Sequence, residues 1–302
     1  ADIAVARAAA RHGTIATVAT TSSHSAAEVR SASTGPLWFQ LYAWRDRGLT
    51  GELIDRAKDA GCGALVFTVD TPIPGRRERD TRNGMTIPPR VSPGNVLEMA
   101  THLGWLAGLR RGPGISLGNL AGLAAAPSGG ALGLAGWFAD LFNPSQTWAE
   151  LEWILDRWQG PVVVKGVMHP EDATRAARLG AAGVVVSNHG RRQLDGAPAS
   201  IEVLEDVVGA LADAGHGRVD VLMDGGVRRG SDIVKALALG ARAVLIGRPW
   251  LYGLAARGER GVDEVLALLR SELTVALQLL GCPDVTALDR GCLRHLPAVP
   301  PS

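Results

Sequence analysis

Short apolar runs rich in valine, isoleucine and leucine recur along the chain, each closed by glycine or a polar residue. They lie at residues 14–19, 37–42, 64–70, 161–165, 183–187, 219–224 and 243–246. The runs are apolar almost throughout rather than alternating, the pattern of strands covered on both faces. Between most of them the period changes: apolar residues three and four apart predict amphipathic helices over 50–60, 170–179, 200–214 and 230–239. Gly61, Gly180 and Gly240 stand where such helices stop. This alternation predicts repeated βα units on a parallel sheet. Seven runs fall one short of a closed barrel, and the chain opens on a helical pattern over 2–11. The expected fold is therefore an α/β (βα)8 TIM barrel lacking its first strand in this chain. An open seven-stranded sheet is the alternative. Residues 262–280 predict a long terminal helix covering the barrel, and 295–302 a loose tail.

The alternation is broken once, after the fourth barrel strand, by residues 87–146. This stretch holds Pro88-Pro89, two glycine-rich patches and Trp105 and Trp137. Connections longer than ~15 residues are usually lids or binding loops. Short amphipathic helices are expected over 99–109 and 131–142. The segment reads as a lid over the barrel mouth or as an insertion lying on a membrane surface, within a single domain spanning 1–302.

Composition narrows the class. The chain has 302 residues, 46% hydrophobic and 20% charged, with 38 glycines, which suits one large α/β domain. Thirty-one basic against thirty acidic residues leave a net charge of +1, without the clustered cationic face of a nucleic-acid binder. Cys62, Cys282 and Cys292 are odd in number and follow no metal-ligand spacing. They read as packing residues in a reducing compartment, not as a disulfide framework. No run reaches the ~18 uncharged apolar residues of a spanning helix. Asp2, Arg7 and Arg11 break any signal-peptide pattern at the start.

Chemistry gathers where the runs end. Val184-Val185-Val186-Ser187-Asn188-His189-Gly190-Arg191-Arg192 carries an apolar strand straight into an imidazole and a paired guanidinium. At the C-terminal end of a barrel strand, that is where a catalytic base and an anion-binding fork would be placed. Gln40 and Tyr42 lie two apart, as do Thr68 and Asp70, so each pair can face one direction. Asp70 leads into Gly75-Arg76-Arg77. Lys165 is an isolated cation closing Val162-Val163-Val164. Each residue alone has an ordinary structural role open to it, as a cap, a surface cation or a hydrogen-bonded core histidine. Their recurrence at the same end of successive strands points to a site. The last two strand ends, Asp224-Gly225-Gly226-Val227-Arg228 and Gly247-Arg248, suit a phosphate, combining close backbone approach, helix N-termini and arginine forks.

The strings FTVDTPIPGRRERD, VVVKGV, VVVSNHGRRQLDG, LMDGGVRRGSDIVKALALGA and LIGRP resemble the FMN-dependent L-2-hydroxy-acid oxidases and dehydrogenases. That family includes glycolate oxidase, lactate oxidase, the respiratory L-lactate dehydrogenases and mandelate dehydrogenase. The likeness runs from about Asp2 to about Asp289. LYGLAARGERGVDEVLALL, LGCPDVTAL and the long middle segment look most like the mandelate and respiratory lactate dehydrogenases.

The resemblance implies FMN and oxidation of a small 2-hydroxy acid, of mandelate or lactate type, to the 2-oxo acid. It implies His189 as base, Asp70 orienting its imidazole, Tyr42 on the substrate hydroxyl, and Arg77 and Arg192 on the carboxylate. Lys165 would sit beside the flavin N1–C2 edge, with Gln40, Thr68 and Ser187 against the ring. Asp224, Gly225, Gly226, Val227 and Arg228 would hold the ribityl chain and phosphate, completed by Gly247 and Arg248. No metal is implied. Electrons would pass to a quinone or cytochrome, or to oxygen in the oxidase alternative; a further alternative is an inactive barrel remnant that binds flavin or an anion. The resemblance also implies a homotetramer, cytoplasmic or peripheral on the inner face of the cytoplasmic membrane. The family's opening portion, with its first strand, has no counterpart here. Ala19 stands where the family has a flavin-contacting serine, and Arg191 where it has a small residue.

Overall fold

The computed structural model describes residues 1–75, 77–83, 93–111, 117–123 and 141–294. The expected tail at 295–302, and all but the end of the helix expected over 131–142, lie outside the described residues. Seven parallel strands form one sheet in sequence order: β1 (Ala16–Ala19), β2 (Leu37–Leu41), β3 (Ala64–Thr68), β4 (Val162–Val167), β5 (Gly183–Val186), β6 (Asp220–Met223) and β7 (Ala243–Val244). Among the described residues the fold is a TIM-type α/β barrel without its first strand. Among the described residues β1 and β7 have one strand neighbour each. β3 and β5 are buried throughout, whereas Ala243 at the β7 edge is exposed.

The helices are α1 (Asp2–Arg11), α2 (Ala26–Ala32), α3 (Arg47–Asp59), α4 (Glu78–Arg82), α5 (Pro93–Thr101), α6 (Leu103–Arg111), α7 (Trp148–Trp158), α8 (Pro170–Leu179), α9 (Ser200–Asp213), α10 (Gly230–Ala238) and α11 (Arg248–Leu280). The apolar faces of α1–α3 and α7–α10 pack on the outside of the sheet, where Phe39, Leu53, Ile154, Val184 and Leu204 are wholly buried. The opposite face of the sheet carries a smaller cluster of Val163, Val185 and Leu222 from adjacent strands, with Trp38 and Leu245 against it. The two clusters use alternate strand positions, which is why the runs are apolar without a break.

Several regular strands end one or two residues before their apolar runs, yet the ladder continues past them. Val69 donates to the Lys165 carbonyl at 2.9 Å, Ser187 to Val167 at 3.3 Å and Asp224 to Val186 at 3.1 Å. The residues that follow the strands therefore start from fixed backbone.

Three further differences have local causes. The helix expected over 99–109 is two helices parted at His102, because Thr101 Oγ1 and His102 Nδ1 both turn back to the Glu98 carbonyl, at 2.7 and 2.9 Å. α2 and α7 were not expected from periodicity, but each opens on a capping box, Ser25 with Glu28 and Thr147 with Glu150. The terminal helix begins at Arg248 rather than 262 and is kinked at Arg257-Gly258. There Gly253 and Gly261 meet so closely that a Cβ on Gly261 would collide with the Gly253 carbonyl.

Candidate active site

The C-terminal ends of β4, β5 and β6 are joined through one ammonium, Lys165 Nζ. Ser187, fully buried after β5, accepts hydrogen bonds from Lys165 Nζ at 3.0 Å and from the His189 backbone N–H at 3.1 Å. Lys165 Nζ lies 3.2 Å from Asp224 Oδ2. The register sets Thr68 beside Lys165 on the neighbouring strand. Thr68 Oγ1 in turn accepts from Gln40 Nε2 at 3.0 Å. Gln40, Thr68, Lys165, Ser187 and Asp224 thus form a continuous polar rim across five strand ends. Thr20, next to Ala19, spends its hydroxyl within the frame, donating to the Gln40 carbonyl at 2.7 Å.

His189 stands above this rim. Its Nδ1 is 3.0 and 3.1 Å from the two carboxylate oxygens of Asp70. An Nδ1–H donated to Asp70 leaves Nε2 as the nitrogen with a free lone pair. The backbone that holds the ring is unusual, since His189, Gly190 and Arg191 are all left-handed, with φ of 53°, 63° and 61°. A non-glycine residue there costs about 1–2 kcal/mol. Asn188 braces the turn: its Oδ1 accepts from Gly190 N at 3.0 Å and its Nδ2 donates to the Pro198 carbonyl at 2.9 Å. Asp70 has room because Gly166, at φ 105°, has no Cβ; one built there would lie 2.7 Å from the Asp70 Cβ.

Tyr42 shares the same space. Burial, reinforced by the negative charge of Asp70, pushes its phenol up to about 12, while Arg77 and Arg192 pull the other way. Asp70, Arg77 and Arg192 are thus all near enough for their charges to act on the Tyr42 phenol, which stays neutral. Arg77 Nε donates to the Arg192 carbonyl at 3.3 Å, so the two arginines sit on loops that touch.

Gln193 was given no role by sequence reasoning. Its Nε2 donates to the carbonyls of Asp70 at 3.3 Å and Ile73 at 3.0 Å, and its Oε1 lies 3.5 Å from Arg77 Nη2. It ties the loop after β5 to the loop after β3. Its only signal was being the sole amide side chain between Arg192 and Asp195.

At the far end, Asp224 Oδ1 is buried and has no hydrogen-bond partner. Gly225 and Gly226 follow with φ of 86° and 83°, and the Cβ positions of Gly226 and Gly247 open onto empty space. The orphaned acceptor fits a hydroxyl of a ribityl chain, and the bare glycine backbone admits close approach of a phosphate. Arg228 and Arg248, close in the chain to these glycines, are exposed, and Arg248 Nη2 donates to the Gly190 carbonyl at 3.2 Å. The N–H groups leading into α10 are already taken: Arg228 and Arg229 donate to Asp232 at 3.0 Å, and Gly230 to Glu272 at 2.8 Å. An anion would therefore rest on the arginines and the glycine backbone. The residues present fit FMN.

A family model described as FMN-dependent dehydrogenase matches residues 1–295. An L-lactate dehydrogenase of Caulobacter sp. (strain K31) is 46% identical over 294 residues, covering 97% of this chain and 76% of the relative. One from Caulobacter vibrioides is 48% identical over 290 residues, covering 95% and 74%. Among solved structures, the monotopic membrane protein (S)-mandelate dehydrogenase superposes with a TM-score of 0.90 at 41% identity, over 97% of this chain and 76% of the other. A mandelate oxidase gives 0.77 at 42% identity, over 96% and 72%.

Proposed function

Because the chain belongs to the family of FMN-dependent dehydrogenases, we propose that it oxidises an L-2-hydroxy acid of the lactate or mandelate type to the 2-oxo acid. The observation that carries this reading is the His189–Asp70 pair, 3.0 Å apart, in one space with Tyr42 and two guanidiniums. Arg77 and Arg192 grip the substrate carboxylate, since planar forks match a carboxylate in two bonds. Tyr42, kept neutral by its surroundings, hydrogen-bonds the substrate hydroxyl. His189 takes a proton at Nε2, and Asp70 stabilises the imidazolium that results. FMN, when bound, supplies the two-electron sink. Lys165 would lie beside its N1–C2 edge, where a fixed cation favours negative charge. Gln40, Thr68 and Ser187 would line the ring; Asp224, Gly225, Gly226, Val227 and Arg228 would hold the ribityl chain and phosphate with Gly247 and Arg248.

The electron acceptor in this reading is a quinone or cytochrome at a membrane surface. Val96, Leu97 and Met99 of α5 and Leu103 of α6 are exposed apolar side chains within 87–146. No helix among the described residues is long and apolar enough to cross a membrane, so this insertion would lie on the surface. Leu268, Val275 and Leu279 form an exposed stripe at helical spacing on α11, which supports assembly of identical subunits.

The test is to load the protein with FMN and add L-lactate or L-mandelate without oxygen. Bleaching of the flavin absorbance is expected. A bound flavin that stays yellow with both acids would replace the enzyme by a binding relic. Oxygen uptake measured against reduction of a quinone-like dye then separates oxidase from dehydrogenase.

A further inference from the structure

Two of the three cysteines lie side by side, far along the chain from the catalytic residues. Cys282 Sγ and Cys292 Sγ are 4.0 Å apart, separated by ten residues, and both are half-buried thiols, whereas Cys62 is buried elsewhere. Neither backbone is free to drift. Gly281 ends α11 in the left-handed conformation, and the Cys282 N–H is held by the Leu277 carbonyl at 3.0 Å. Cys292 closes a short turn capped by Asp289, whose Oδ1 accepts from Gly291 N at 2.8 Å, and its own N–H donates to the Asp289 carbonyl at 3.1 Å. Between them, Leu288 is pressed onto Val234 and Ala238 of α10, with both cysteines packed around it. A further tie runs from Arg290 Nε to Glu205 Oε1 of α9 at 2.9 Å.

We propose that Cys282 and Cys292 are a reversible dithiol–disulfide site, oxidised by low-molecular-weight disulfides, that fastens the turn bearing Cys292 onto the C-terminal end of α11. The sulfurs need to close by about 2 Å to reach bonding distance, a movement within reach of side-chain rotation. One protein thiolate attacks a sulfur of the small disulfide and expels one small thiol, giving a mixed disulfide. The second protein thiolate then attacks the protein-side sulfur of that bond and expels the other small thiol. Two protein thiols become one S–S bond, and the small disulfide takes up the two electrons and both protons as two thiols. Contact between the thiols makes the second step intramolecular, so the mixed disulfide does not accumulate. The site is independent of the functional reading given above.

The full chain is incubated without denaturant in excess oxidised glutathione, and its thiols and intact mass are followed. The expected product has one free thiol in place of three and has lost two hydrogens. Trypsin cutting after Arg290 should leave the fragments carrying the two cysteines joined until a reductant is added. Cys62→Ser should behave in the same way, whereas Cys282→Ser and Cys292→Ser should stop at a stable adduct with one small thiol. Three thiols remaining, a lasting adduct on the unaltered chain, or a dimer on a non-reducing gel would each overturn the proposal.

Discussion

His189 carries two burdens on one residue, a ring committed to Asp70 at 3.0 Å and a left-handed backbone. His189→Gln should keep the flavin, because the rim of Gln40, Thr68, Lys165 and Ser187 does not include the imidazole. It should slow anaerobic flavin bleaching by about 10²–10⁴, the usual contribution of a positioned base. Bleaching at the original rate would remove His189 from the chemistry. Gln193 acts one step back, through Arg77 and Asp70. Gln193→Met keeps the length of the side chain and deletes both donated bonds, so the loop bearing Arg77 loses its tether. The expected result is a KM raised about tenfold, the worth of one or two hydrogen bonds, with kcat within a few-fold. Gln193→Glu restores the acceptor for Arg77 and should recover part of the loss, whereas a purely structural role would lower heat stability and leave KM alone. His189, Asp70 and Tyr42 were legible in the sequence because each closes an apolar run. Gln193 was not, because its partner carbonyls at Asp70 and Ile73 lie 123 and 120 residues away and only the folded loops bring them together.

At the scale of elements, the phosphate end depends on how α11 holds α10. Glu272 accepts from Gly230 N at 2.8 Å and Arg229 Nε at 3.0 Å. The hydrogen bond from Arg229, followed by that from Gly230, holds this carboxyl below its ordinary 4.5. A group lowered in this way adds stability above its unfolded value and loses it as pH falls through the folded one. Glu272→Gln should therefore lower Tm at neutral pH by an amount that stays level down to pH 4.5 and narrows below it. A gap independent of pH would mean that packing, not charge, makes the tie. Such joints are poorly legible in advance. The glycine stops at 61, 180 and 240 were readable because a helix needs a left-handed exit, and all three have positive φ. The glycines at 253, 258 and 261 carry the same local signal, yet one is a kink and two are the crossing point of a helix hairpin. Which of these a glycine serves is decided by what packs on it.

The whole molecule is legible as a count and hidden as a consequence. Seven apolar runs became seven strands because burial on both faces leaves the same mark wherever a strand lies in the sheet. What the runs did not show is how the two outer strands differ from the rest. β7 forms only two pairs with β6, Leu222 with Ala243 and Met223 with Val244, and Ala243 is exposed. β1 pairs over four residues on one side and meets no strand on the other among the described residues. The gap between them falls beside Gly247 and Arg248 at one edge and Ala19 and Thr20 at the other, so it opens onto the proposed flavin site. A chain extended at its N-terminus by a strand able to pair in parallel with both edges should bind FMN at least about tenfold more tightly, since each preformed contact is worth roughly 1 kcal/mol. The same extension should raise Tm even without flavin, because two rows of unpaired backbone groups gain partners. Fluorescence titration with FMN and thermal unfolding of the apoprotein read the two effects separately. Equal affinity in both chains would show that the polar rim alone sets flavin binding, and a raised Tm with unchanged affinity would confine the eighth strand to holding the barrel shut.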